Sequence, residues 1–278
     1  MIKDVTVYLD GSDADESRIE HAVAVCRRFD AHLTALHLNM LPSVVVAAEA
    51  GGPVAIDWQL QDDAIANGNV AEGRLRERLA RAFSSAELRR RDLYASQFAE
   101  AVAAQGQTGD LTVVSRPYGD GVPDIDPDVV EGALFGSGRG ALIVPRTGGS
   151  PAGYKTILLG WRSSRETARA VCEAMPLLRV AEQVFVTMID EGGAPAEARE
   201  EPAADIARHL DRHGVSVEIR HLSRWDHPGE GLISEAGVVG ADLIVAGAYG
   251  HSRLREWVTG GTTRDLLTHS PLPLLMAH

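Results

Sequence analysis

Cysteine is scarce in this 278-residue chain: it occurs only as Cys26 and Cys172. No CxxC pair and no Cys/His spacing accompanies them, which excludes a disulfide framework and a zinc finger. Both read as small buried hydrophobes in a reducing compartment. Positive charge is also in deficit, since 27 Lys and Arg against 39 Asp and Glu leave a net charge of −12. Nucleic acid and anionic membrane surfaces both require basic patches, so neither is an expected partner. No apolar run reaches membrane-spanning length. The opening MIKDVTVYLDGS lacks the charged and apolar regions of a secretory leader. The expectation is a cytoplasmic protein. A Gly-x-Ser-x-Gly elbow and a P-loop lysine pattern are missing too. No nucleophile–base–acid set can be read, so at most a weak ATPase is expected.

The chain does carry two copies of one plan. Val5 to Leu9 reads as a strand ending at Asp10-Gly11-Ser12, and Thr156 to Trp161 as a strand ending at Arg162-Ser163-Ser164. A helix start follows each, with Asp13-x-x-Glu16 and Ser163-x-x-Glu166 as capping-box patterns. The next strands are Leu33 to Leu38 and Gln183 to Met188. Asp110 to Val114 mirrors Asp242 to Ala246, and Ala141 to Pro145 mirrors Pro273 to Ala277. Strands alternating with helices imply βαβ units, hence parallel sheets with helices on both faces. The turn-rich RTGGSPAG of residues 146–153 reads as a linker. The expected organisation is two tandem doubly wound α/β domains, residues 1–148 and 153–278. Residues 69–104, rich in Arg, Glu and Ala, read as a helix-rich segment covering the first sheet.

The richest segment lies in the second copy. After the apolar run Leu243 to Ala246, the chain turns through Gly247 and Gly250. After nine intervening residues come Gly260, Gly261, Thr262 and Thr263, opening a helical pattern. Glycines at a strand end let a ligand approach the backbone, and a helix start offers free N–H donors at its positive end. Together they suit a phosphate. This spacing resembles the nucleotide-binding signature of the universal stress protein family, and both copies resemble that family's fold. The signature places Ser or Thr directly after its third glycine, where this chain has Gly261. The first copy lacks the glycines, with Ser115 and Tyr118 opposite Gly247 and Gly250.

The resemblance implies an adenine nucleotide, ATP with or without magnesium, held by Gly247, Gly250, Gly260, Gly261, Thr262 and Thr263, with slow or no hydrolysis. Family members that bind nucleotide usually end the first strand in Asp. The first copy has that acid as Asp10, while the second has Arg162, which either pairs with a phosphate or blocks the pocket. A decayed site serving as an interaction scaffold in stress response stays open as the alternative. The family's final strands commonly pair domains, so the two closing strands are expected to join the halves as an intramolecular pseudo-dimer, with homodimerisation a further option. Asp265 and Glu256 read either as magnesium-placing acids or as solvated helix charges. His209 and His213 read as an exposed helix face, and residues 136–140 (GSGRG) as a connecting turn.

Overall fold

Valine and leucine runs bounded by Asp, Gly and Ser make strands buried on both faces, and each half of the chain is built on them. The computed structural model describes residues 1–43, 58–119, 121–148, 153–190, 197–248 and 261–278, with backbone alone for residues 58 and 197–202. The first half runs β1 (Asp4–Leu9), α1 (Asp15–Phe29), β2 (His32–Leu41), α2 (Trp58–Ala82), β3 (Glu87–Tyr94), α3 (Phe98–Gly106), β4 (Leu111–Ser115), α4 (Asp126–Glu131) and β5 (Gly140–Val144). A π-helical turn, Gly132–Gly136, continues α4. The second half runs β6 (Thr156–Gly160), α5 (Arg165–Leu178), β7 (Gln183–Ile189), α6 (Glu197–Arg212), β8 (Glu218–Leu222), α7 (Pro228–Val239), β9 (Leu243–Gly247), α8 (Thr262–His269) and β10 (Leu274–Ala277).

The ten strands among the described residues form one sheet in the order β3-β2-β1-β4-β5-β10-β9-β6-β7-β8. Pairing is parallel within each half. Among the described residues the single antiparallel pair is the junction, where Leu274 faces Ile143, Leu275 faces Leu142 and Met276 faces Ala141. These six residues are fully buried, and an apolar cluster on each face of the sheet runs through the junction into both halves. The closing strands thus cover the edge each would otherwise expose. The outer edges carry charged side chains, Glu87, Arg89, Arg90, Arg91 and Asp92 on β3 and Glu218 and Arg220 on β8, which discourages further strand addition.

The repeat extends to single hydrogen bonds. Asp110 accepts from the backbone N–H groups of Lys3 (2.7 Å) and Asp4 (3.1 Å). Asp242 accepts from those of Lys155 (2.8 Å) and Thr156 (3.2 Å). In each half this carboxylate ties the start of the first strand to the chain entering the fourth.

Two sequence expectations need correction. Residues 69–104 are helix-rich but not one continuous helical segment, because β3 divides α2 from α3. The ELRRRDLY strand has no apolar run, and its conformation comes from pairing along the whole edge of β2. The helix caps also differ. The α5 cap is Ser164, whose hydroxyl accepts from Thr167 N–H at 3.2 Å, one residue beyond Ser163. Before α1 the capping-box residue Asp13 makes no cap, and Ala14 stands at that position. The Asp15 carboxylate instead accepts from Asp10 N–H (3.2 Å) and Gly11 N–H (2.9 Å).

Candidate functional site

In each half the strand order reverses once, between β1 and β4 and between β6 and β9. At such a switch point the helices leaving neighbouring strands diverge to opposite faces and open a crevice at the strands' carboxyl ends. The crevices of the two halves are built from equivalent elements but differ in chemistry.

In the second half, β6 leads to Arg162 and the Ser164 cap, β9 ends at Gly247, and α8 returns to the sheet from residue 262. A helix linking parallel strands starts on their carboxyl side, so the α8 N-terminus belongs to the crevice. Gly261 holds the cap position and, having no side chain, makes no cap hydrogen bond of its own to the first N–H groups of α8. Among the described residues a Cβ on Gly261 would meet nothing within 4 Å, and its φ of −163° is extended backbone open to any residue. The missing hydroxyl at this position is therefore a chemical difference rather than a steric necessity. Thr262 is half-buried and Thr263 buried.

Gly247 has a different constraint. A Cβ there would stand 2.6 Å from the Thr167 backbone nitrogen and 2.8 Å from the Glu166 carbonyl carbon. This glycine lets β9 pass against the first turn of α5, a reason that needs no ligand. Arg162 is exposed at the β6 end of the crevice. Gly250, Gly260, His251 and Glu256 lie outside the described residues. Asp265 is buried on α8, with its carboxylate 3.9 Å from His227 Nδ1. His227 stands at the N-cap position of α7 without a side-chain cap hydrogen bond. The His209 and His213 rings pack edge to face at 4.8 Å, and no cluster of metal-ligating side chains occurs among the described residues.

The first-half crevice contains charges of its own. Arg18 on α1 is fully buried, and its Nη2 donates to Asp10 Oδ1 at 2.6 Å and Asp15 Oδ1 at 2.5 Å. Its guanidinium lies 5.0 Å from the centre of the buried Tyr8 ring. At the start of α4, buried Asp126 pairs with Arg146 from beyond β5. Burial opposes the ionised carboxylate at Asp10, but Arg18 and hydrogen bonds from Ser12 outweigh it and hold the pKa below the usual range. At Asp15 and Asp126 burial prevails over the neighbouring arginines and the pKa is raised. Burial likewise works against charge on Arg18, but Asp10 and Asp15 outweigh it and raise its pKa.

Two serines give the register between α4 and α8. Ser137 Oγ accepts from Arg139 N–H (3.0 Å) and Ser270 Oγ from Leu272 N–H (3.2 Å), each just before its closing strand. Counting back from them, Val129 and Val130 occupy the places of Thr262 and Thr263. The first half thus lacks the hydroxyls and puts a carboxylate, Asp126, at its helix N-terminus. Sequence reading singled out Asp10 but not Arg18, Asp15, Asp126 or Arg146. Only the Asp15/Arg18 spacing of three on a helix hinted at a pair. The GSGRG segment is a connecting turn in which Ser137 Oγ also donates to Ala133 O at 2.5 Å.

Residues 153–278 match the model of the Universal stress protein family. Among solved structures, a universal stress protein from Archaeoglobus fulgidus DSM 4304 superposes with a TM-score of 0.75 at 13% identity, over 99% of this chain and 95% of that one. A functionally unknown protein from Pseudomonas aeruginosa PAO1 gives 0.55 at 14% identity, over 99% and 92%. At such identities the likeness establishes the fold alone. No curated protein sequence matches the chain.

Proposed function

We propose that the second half, whose residues 153–278 match the Universal stress protein family model, binds ATP or a related adenine nucleotide as a regulatory switch. Hydrolysis is slow or absent. The observation that carries this reading is the α8 N-terminus at the switch point, where the cap residue Gly261 brings no side-chain hydrogen bond and two threonines follow. Backbone N–H groups and the positive end of the helix dipole favour a phosphate there. Gly250 and Gly260 complete the glycine spacing, and Arg162 on the opposite side can pair with a phosphate through two parallel hydrogen bonds. Magnesium would accompany the phosphates, with Asp265 the nearest described acid in sequence.

The first half, on this reading, is a degenerate copy that binds no nucleotide. Arg18, Asp10 and Asp15 fill its crevice with paired charge, and Asp126 supplies an anion to the helix that would otherwise receive a phosphate. The antiparallel β5–β10 pair then makes the two halves an intramolecular pseudo-dimer in the cytoplasm.

A second reading is a stress-response scaffold that binds no nucleotide. The packing of Gly247 against α5 favours it, because that glycine has a structural reason of its own. Calorimetric titration with ATP and magnesium separates the two. The switch reading expects one site per chain, lost in a folded Gly250→Val/Gly260→Val variant. No heat of binding from nucleotide-free protein would leave the scaffold.

A further inference from the structure

The loop after β4 is where the first half lacks its glycines, having Arg116-Pro117-Tyr118 instead. Its side chains serve the other half. Arg116 is anchored on its own side by its backbone N–H, which donates to Val144 O on β5 at 2.9 Å. From there Nη1 crosses the junction and donates to Ser270 O at 2.7 Å. Ser270 is the fully buried C-cap of α8. Two residues on, the Tyr118 ring centre lies 6.0 Å from the guanidinium carbon of Arg264, in the first turn of α8. An eight-residue helix is only about 12 Å long, so a three-residue segment reaches both ends of it.

The electrostatics differ at those ends. A cation at the C-terminus of α8 opposes the negative end of the dipole and is favourable there. Arg264 sits at the positive end, where a cation is unfavourable unless a π face or an anion compensates it. Tyr118 supplies the face, and a phosphate at the Gly261 cap position would supply the anion.

We propose that Arg116 and Tyr118 are positioning residues that hold α8 for phosphate binding, so that the nucleotide site of the second half is completed by the first. The inference rests on the nucleotide reading above for its ligand, but the clamp itself stands on contacts among described residues. It gives the altered first-half loop a use: the segment that lost a site of its own steadies its neighbour's.

The test compares Arg116→Met, Arg116→Lys and Tyr118→Leu with the parent chain in two measurements. The first is calorimetric affinity for ATP and for adenosine. Removing a partly buried cation from a helix C-terminus changes an equilibrium by a factor of about five to thirty. Arg116→Met is expected to weaken ATP by about five-fold or more, with adenosine unchanged. Lysine at 116 should restore most of the loss, and Tyr118→Leu should weaken ATP by about two- to three-fold. The second is amide hydrogen exchange of residues 266–270 without nucleotide, expected to quicken by about five-fold in Arg116→Met. Unchanged exchange overturns the clamp, and equal losses for ATP and adenosine overturn the positioning role. If the parent chain binds no ATP, the nucleotide reading falls, and the exchange result alone decides whether the clamp exists.

Discussion

Replacing Arg18 by Met removes the one cation between Asp10 and Asp15 while keeping a side chain that can fill the space. Arg18 and Asp15 side chains are fully buried and that of Asp10 is 16% exposed, so solvent can do little for what remains. Removing one partner of a buried ion pair costs about 3–5 kcal/mol, because the other charge stays desolvated. In a chain of this size that lowers the melting temperature by roughly 10 °C. Urea denaturation at pH 7, followed by circular dichroism, measures the loss. The pH dependence gives a second check. Asp10 has a lowered folded pKa, so its contribution is present above the usual carboxylate range and fades as pH falls through the folded value. Asp15 has a raised one, so its protonation favours the fold below that range and the benefit disappears as pH rises. Without Arg18 both pKa values move up, making the deficit of Arg18→Met largest at neutral pH and smaller in acid. Asp10→Asn/Asp15→Asn/Arg18→Met should recover most of the stability. A loss under about 1 kcal/mol at pH 7, or one that does not change with pH, would refute the reasoning.

Other outcomes follow from single contacts. Gly247→Ala forces a methyl against the first turn of α5 and should cost about 1–3 kcal/mol without any nucleotide, read from urea midpoints. Ser164→Ala removes the α5 cap and should cost about 1 kcal/mol in the same assay, whereas Ser163→Ala should be near neutral. Cys26 is buried and its thiol pushed up to about 12, while Cys172 is exposed. A thiol reagent at pH 8 should therefore modify one cysteine in the folded chain and both in denaturant; rapid modification of both in native buffer would contradict the packing of α1.

The sheet was legible where strands are buried on both faces. Leu243 to Ala246, Ala141 to Val144 and Ile157 to Leu159 are apolar runs because helices cover both sides of them. The exposed edge strand β3 was not, since its Arg and Glu residues carry no burial signal and only the register with β2 fixes its conformation. Neither was the choice between Ser163 and Ser164, two neighbouring hydroxyls that composition cannot rank. The glycine spacing before α8 was visible as a motif, but the clash that Gly247 avoids depends on α5, remote in sequence. The first-half charge network stayed hidden for the same reason. Asp126 and Arg146 are twenty residues apart and meet only when β5 closes the sheet. Among the described residues no helix is long and apolar enough to cross a membrane, in keeping with the absence of apolar runs.

The central claim is that one half of this repeat receives a nucleotide and the other is filled by its own charges. Photolabelling with 8-azido-ATP, followed by peptide mapping, tests it most directly. The account predicts label confined to peptides from residues 153–278 and suppressed by excess ATP. Competed label in the peptide carrying Asp10 and Arg18, or none that ATP suppresses in the second half, would contradict it.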